Sequence, residues 1–422
     1  MSIVHLLTLP ATVALLVVLV RRFPWLGWLI LWSLVVSAYD YDGLTEVANL
    51  GGIAIYPADI AAVVLLVAIV LTPGALRQLS PAELWIWIPL VLVGLLSLER
   101  GVSAFGLGIA ANEARGLVQL IAATMWVWGR MRLPGFEKSL RRWIVLTGIG
   151  LTVDAIYHIT QRGIGQVDQI ILVNGQLVTS RPLVAAQALV LGLLGLALIV
   201  RERRRALRLL GLVFFALAVL CQHRSVWVAL AAALVMLVLA SPRVRGRILA
   251  VVFVGGVALL IAYSAGALDT VLTKFSLAYH SRGTYDDRVL ASKVLIDEQN
   301  ALGPFTMMFG QPFGTGYFHR SSTGTIETFA PHNYYVVTYL RMGLVGALLF
   351  AFALLRGLRN SLVARDPRGI VMASALMAYC LAYNLQMILA PFLALALTAR
   401  VRGQADPDQA LADDAEPVSA AR

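Results

Sequence analysis

The chain has 422 residues, of which 59% are hydrophobic and 14% charged, with a mean hydropathy of +0.80 and a formal net charge of +11. A soluble domain averages about 45–50% apolar and about 25% charged residues, so this composition excludes an ordinary soluble globular protein. Apolar runs of membrane-spanning length recur instead, as a polytopic helical membrane protein requires. The positive charge does not point to nucleic acid, because it gathers in the connections between apolar runs, where Lys and Arg mark cytoplasmic ends.

In chain order the apolar segments fall at 3–20, 24–39, 57–72, 84–98, 107–128, 143–160, 183–200, 207–221, 225–240, 248–265, 333–355, 369–384 and 388–400. They predict an all-α polytopic membrane protein of about 12–13 transmembrane helices. Basic connections at 21–22, 77, 130–142, 201–208, 243–247, 356–368 and 400–402 alternate with connections poorer in Lys and Arg at 40–56, 99–106, 161–181, 222–224, 266–331 and 384–387. By the positive-inside rule the first set is cytoplasmic, which places the C-terminus inside and the long loop outside. An odd helix count puts Met1 outside; an even count requires one short terminal segment to be re-entrant or interfacial. The chain thus divides into N-terminal helices over 1–265, a large outer loop over 266–331, C-terminal helices over 332–402 and an acidic, disordered cytoplasmic tail over 403–422. Within the loop, 274–300 reads as an amphipathic helix and 303–325 is rich in Gly, Pro and Ser. A loop of this length is usually functional, and its aromatics predict that it folds against the membrane region. No internal repeat is present. Cys221 and Cys380 lie in or beside apolar segments and provide no disulfide framework. No basic n-region precedes the first apolar run, so no cleavable signal peptide is expected.

Several groups on the outer side can do chemistry. Arg224, in QHRSVW, stands between two apolar segments, and its fork of donors suits a diphosphate; the alternative is a snorkelling arginine anchored by Trp227. Arg288, in GTYDDRVL, either binds an anion or pairs with Asp286 and Asp287, with Arg282 as the second candidate for the same role. His332 titrates near neutrality and suits a general base, or it bonds a phosphate, or it caps the next helix together with Asn333; Asn333 and Tyr334 are further substrate-binding candidates. Arg115 contacts a diphosphate or sugar, or forms a buried salt bridge. Asp59 and Asp154 orient acceptor hydroxyls or pair with arginines. His158, His223, His280 and His319 show no zinc spacing. The absence of a nucleotide-binding glycine loop and of an Asp-x-Asp pair fits a lipid-linked donor, with arginines in place of a metal; no metal or other cofactor is expected.

His332 and Asn333 are followed after nine residues by Gly343 and then Gly346. The two glycines lie one turn apart, which lets another helix approach closely. The spacing His-Asn-x9-Gly-x-x-Gly resembles the signature of the O-antigen ligase family. Arg224-Ser-x-Trp227 looks like the arginine site of the O-antigen ligase and polymerase families, and Arg288 matches the second arginine of their long outer loop. The resemblance implies a class C membrane glycosyltransferase fold in the bacterial inner membrane, with inverting, metal-independent transfer on the periplasmic side. The donor it implies is a glycan on undecaprenyl diphosphate; the acceptor is a hydroxyl of a glycan or glycolipid, as in lipopolysaccharide or other polysaccharide biosynthesis. In that scheme Arg224 and Arg288 bind the diphosphate, and His332 orients or deprotonates the acceptor. A polymerase acting on two lipid-linked glycans is the nearest alternative. Such enzymes resemble this layout and carry Arg-x10-Gly motifs, of which Arg181 and Gly192 form one match, while Arg288 has Gln299 at the corresponding position. A transporter or flippase of lipid-linked glycans would favour internal repeats and charges at midmembrane. The orientation is tested by cysteine labelling from the periplasmic side, which is expected to reach thiols introduced within 266–331 but not at Arg203 or Arg245; the reverse pattern overturns it.

Overall fold

The computed structural model describes residues 3–37, 46–50, 52–75, 81–131, 133–162, 170–173, 176–179, 181–242, 245–246, 248–249, 273, 276, 283–320, 326–328 and 330–398. Apolar runs have no water to satisfy their backbone, so they close their hydrogen bonds within helices. The N-terminal half contains α1 (Ile3–Arg22), α2 (Trp25–Val36), α3 (Pro57–Val70), α4 (Pro81–Phe105), α5 (Leu107–Arg130) and α6 (Phe136–Arg162). There follow α7 (Ala185–Arg201), α8 (Arg205–Leu220), α9 (Arg224–Ala240), α10 (Gly283–Ala301), α11 (Pro304–Phe309), α12 (Tyr334–Ala364), α13 (Pro367–Tyr379) and α14 (Ala390–Leu397), the last preceded by a 3-10 turn at Met387–Leu389. Among the described residues three helices are long and apolar enough to cross a membrane: Trp87–Phe105, Phe136–Gln161 and Tyr334–Ala364. A fourth span results if α1 and α2, bent by 117°, count as one; the bend falls at Pro24, which has no N–H to continue the ladder of α1. Exposed Leu92, Leu95, Val153, Leu209, Leu239, Leu348 and Phe352 lie on α4, α6, α8, α9 and α12, a distribution suited to lipid rather than water.

Several expectations change. The chain is not purely α: the hairpins Ala48–Leu50 with Ile53–Ile55, Ile170–Val173 with Gln176–Thr179, and His319–Arg320 with Ile326–Glu327 occupy three of the connections expected outside. These connections cannot hide their backbone in a long helix, and short antiparallel pairing satisfies it locally. The expected 12–13 spans exceed what length supports, since α3, α7, α9 and 387–397 are shorter apolar helices. The segment expected at 388–400 becomes the eight-residue α14, whose residues Ala390–Ala396 are all buried. The helix expected to end near residue 355 runs on to Ala364. Residues 250–265 and the tail 403–422 lie outside the described residues.

α7 is the centre of the bundle. Ala185–Val200 is buried all round, as expected of an apolar helix with no polar face. Its approach to α8 depends on two glycines: a Cβ on Gly195 would lie 2.6 Å from the Gly211 carbonyl oxygen, and one on Gly211 would lie 2.8 Å from that of Gly195. Around the other flank Trp28 packs edge-on against Trp126 at 5.2 Å and tilts against Trp143 at 5.5 Å, joining α2, α5 and α6.

The long loop before α12 is anchored on a break in that helix. Gly343 has φ 64° and ψ −168°, outside the helical region, a conformation that L side chains resist. A Cβ there would lie 2.2 Å from the Met308 backbone, and the space beside Gly346 is filled by Met342 of its own helix. The two glycines therefore serve a kink and the docking of short α11, not the crossing of a second membrane helix. The Leu340 carbonyl beside the kink accepts from Gln311 N at 2.7 Å. Arg341, 2% exposed, pairs with Glu113 of α5 and donates to the Gly316 carbonyl at 2.5 Å. Glu113 also accepts from Gly314 N at 2.5 Å and Gly316 N at 3.2 Å, and the Arg341 guanidinium lies 4.1 Å from the Tyr317 ring centre. One ion pair thus ties α5, α12 and the loop together. Breaking a buried pair from one side leaves a bare charge and costs about 3–5 kcal/mol. Accordingly Glu113→Gln and Arg341→Met should each lower the thermal midpoint in detergent sharply, and the double variant should recover part of the loss; additive losses would show that the two side chains are not coupled.

Candidate functional site

Arg181, Arg224, Arg288 and His332 come from four separate parts of the chain and meet at one pole of the bundle, around Tyr383. Arg181 precedes α7, Arg224 is the first residue of α9, His332 precedes α12, and Arg288 belongs to α10. Tyr383 follows α13 and stacks on Tyr379 at 5.4 Å. The Arg288 guanidinium lies 5.0 Å from the Tyr383 ring centre, and the His332 ring meets the same ring edge-on at 5.5 Å. Arg181 hydrogen-bonds the Tyr383 hydroxyl and feels the charges of Arg288 and Arg224. Tyr383 therefore presents its face to Arg288, its hydroxyl to Arg181 and its ring to His332.

The local chain geometry explains the convergence. Gln222, fully buried, adopts φ 58°, a left-handed conformation uncommon for a residue with a side chain. It turns the end of α8 directly into His223 and Arg224. Trp227 Nε1 donates to the Val219 carbonyl at 2.9 Å and so braces this turn from the α9 side. His223 is buried between a guanidinium and a backbone carbonyl: Arg181 Nη1 donates to His223 Nδ1 at 2.7 Å, and His223 Nε2 bonds the Leu183 carbonyl at 2.8 Å. Since guanidinium can only donate, Nδ1 is the acceptor and Nε2 carries the proton. Burial, and after it the charge of Arg181, holds His223 at a pKa of about 3, so it is neutral. On the opposite side Tyr334 N donates to the Cys380 carbonyl at 2.8 Å, and Tyr335 OH to the Met377 carbonyl at 3.2 Å. These two bonds fix the start of α12 against the end of α13.

The starts of α7, α9 and α12 thus open onto one region. Helix N-termini carry unsatisfied N–H groups and positive partial charge, and the arginines add to it. Among the described residues neither Arg181 nor Arg288 forms an ion pair with a carboxylate. The buried Nε of each has no hydrogen-bond partner. Burial, ahead of the Arg288 and Arg224 charges, lowers the Arg181 pKa. The same two causes, burial first and then Arg288, bring His332 down to about 4. A region in which cations lower one another's proton affinity, with donors left over, is built to receive an anion.

Other candidates fall elsewhere. Arg115 is ion-paired to Asp59 at 3.2 Å, bonds Asn112 and the Ala54 carbonyl, and lies 4.7 Å from the Tyr56 ring centre. It clamps the hairpin at 48–55 to α3 and α5, as the salt-bridge alternative expects, and takes no part in the cluster. Asn333 caps α12, its Oδ1 accepting from Tyr335 N at 3.1 Å and Val336 N at 3.2 Å. Tyr334 turns inward against Phe350 at 5.1 Å. Asp154 pairs with His158 at 3.3 Å, one turn along α6. Arg282 and His280, and the side chains of Asp286 and Asp287, lie outside the described residues. Tyr383 and His223 were not singled out from the sequence. His223 borders Arg224 and Tyr383 borders the outer connection at 384–387, which are the only cues to them; neither residue type signals an anion site. Compared with protein-family models and with curated proteins, the chain matches none.

The depressed histidine pKa has a measurable consequence. In the unfolded chain His332 takes up a proton near its ordinary value of 6.5, and in the folded chain only near 4. Between these values the unfolded state holds more protons, so stability rises with pH across the window and is lost on acidification from 6.5 towards 4. Arg288→Ala should raise the His332 pKa in a side-chain NMR titration, and His332→Gln should flatten part of the acid loss in thermal unfolding. An unchanged His332 titration in the Arg288 variant would separate the two groups.

Proposed function

We propose that the protein is a membrane glycosyltransferase that moves a glycan from a polyprenyl diphosphate, such as undecaprenyl diphosphate, to an acceptor hydroxyl. The observation that carries this reading is the meeting of Arg181, Arg224, Arg288 and His332 about Tyr383. Supporting it are the spacing from His332 to Gly346 and the absence, among the described residues, of a carboxylate on Arg181 and Arg288. In this reading all the apolar segments of the sequence, the shorter α3, α7 and α9 among them, cross the bilayer as about 12–13 spans in a class C arrangement. The Tyr383 pole faces the periplasm and the Arg201 end of α7 faces the cytoplasm.

The chemistry follows from the charges. Arg224 and Arg288, supported by Arg181 and the starts of α7 and α9, bind the diphosphate and hold the negative charge that grows as the bond from the anomeric carbon to the phosphate oxygen breaks. Fixed donors do this without reorganising, which is the main source of rate in such steps. His332 is neutral, so it can accept the proton of the acceptor hydroxyl as that oxygen attacks the opposite face of the anomeric carbon, inverting it. A base with a pKa of about 4 is weak. It orients the hydroxyl first and takes the proton late, when the sugar already carries most of the positive charge. The proton then leaves to solvent or to the diphosphate.

A second reading, a polymerase joining two lipid-linked glycans, draws on the place of Arg181 in the cluster. Its partner Gly192 is explained by packing, since a Cβ there would lie 2.6 Å from Leu230 of α9. The experiment is a purified assay in proteoliposomes with lipid-linked glycan and candidate acceptors. One transferred chain indicates a ligase; a growing ladder indicates a polymerase. Arg224→Ala and Arg288→Ala should each lower turnover about 10²–10³-fold with folding intact. Lysine should restore little, because it lacks the bidentate fork. His332→Ala should lower kcat more than it raises KM. Full activity in the Arg288→Ala enzyme would overturn the assignment.

A further inference from the structure

A second cluster of arginines lies at the far ends of the helices that bear the first. α7 starts just after Arg181 and ends at Arg201; α13 starts at Pro367-Arg368 and ends at Tyr379, four residues before Tyr383. At 1.5 Å per residue α7 carries the chain about 25 Å from one pole to the other, close to the ~30 Å of a hydrocarbon core. At this second pole a cavity of about 490 Å³ opens between the start of α6, the end of α7, the α7–α8 connection and the start of α13. Five arginines and two carboxylates line it.

The carboxylates do not neutralise the cavity. Glu137 is shared by two partners: Arg368 donates to both of its oxygens, at 3.1 Å and 3.2 Å, and Arg201 to one of them. Glu202 meets Arg141 loosely, at 3.8 Å. Arg203 and Arg204 are exposed and, among the described residues, have no carboxylate partner. Ile144, Ala197 and Leu198 form an apolar wall behind these charges. From Arg141 of the rim, Val145 and the exposed Ile149 follow at four-residue spacing and continue an apolar stripe along α6. A cationic rim at the end of membrane helices, backed by an apolar wall, matches an amphipathic anion.

We infer that this cavity binds the headgroup of an anionic phospholipid, its phosphate held by Arg203, Arg204 and Arg141 while an acyl chain lies along α6. Basic pockets at the ends of membrane helices bind such headgroups, and charge-assisted donors in a fork suit phosphodiesters. An inorganic phosphate shares the charge but would make no use of the apolar wall. The occupied site would hold the ends of α6, α7 and α13 together, and two of these helices carry residues of the Tyr383 pole. The inference rests on the cavity and on the helices reaching across a bilayer, not on the proposed transfer.

The test uses the purified full chain in a neutral detergent, with lipid retention read by native mass spectrometry and stability by thermal unfolding. Cardiolipin or phosphatidylglycerol should be retained and should raise the midpoint, whereas phosphatidylcholine should do neither. Inorganic phosphate at matched phosphate concentration and ionic strength should leave the midpoint unchanged. The double variant Arg203→Gln, Arg204→Gln removes exposed side chains and should have an unaltered lipid-free midpoint, with affinity for the anionic lipid about 30-fold weaker. Arg141→Gln, a separate single change, should weaken binding in the same direction. Equal retention by the wild type and both variants would overturn the site, and a phosphate shift as large as that of cardiolipin would assign it to a soluble anion instead.

Discussion

The ion pair between Glu113 and Arg341 is the contact on which the docking of the long loop depends. Arg341 is almost completely buried, and an unpaired guanidinium there would be very costly. Its partner sits 228 residues earlier in the chain, so satisfying the charge brings α5 and α12 together. The same carboxylate collects the backbone N–H groups of Gly314 and Gly316. The loop is thereby pressed into the break at Gly343, where only glycine leaves room for the Met308 backbone.

From that anchor the remaining placements follow. Gln299 of α10 bonds the Tyr339 carbonyl at 2.8 Å, and Leu295 packs with Val336 and Leu340. α10 is thus laid along the first turns of α12, which extends Arg288 over Tyr383. Three helix starts and the end of α13 already meet there, joined by the Arg181–His223–Leu183 chain of hydrogen bonds. An outer loop without this anchor would leave Arg288 free to adopt many positions, and the cation cluster would lose its preorganisation.

The two poles use the same residue type to opposite ends. Beside Arg201 and Arg368, Glu137 converts positive charge into a brace between helices. Around Tyr383, among the described residues, no carboxylate meets Arg181 or Arg288, and aromatic faces and neutral His223 take its place. Aromatic rings hold a guanidinium without cancelling its charge. The second pole is therefore braced by its own carboxylates, and the first keeps its positive charge.

By itself the sequence determined the helical, apolar nature of the chain, the order of its segments, and which arginines and histidines stand at helix ends. Those properties are local: a run of apolar residues must form a helix in a medium without water, and a charge at its end must remain near the polar boundary. Arg224 and His332 stood out for that reason, and Arg288 only as a cation of the long loop. The extent of α14, the three hairpins, the kink at Gly343 and the roles of Tyr383, His223, Glu113 and Arg341 were decided only by tertiary structure. Each depends on partners tens to hundreds of residues away, and a tyrosine that holds one arginine by its face and another by its hydroxyl has no periodicity or spacing that announces it. Arg341 stands between His332 and Gly346, but its meaning came from a glutamate on another helix.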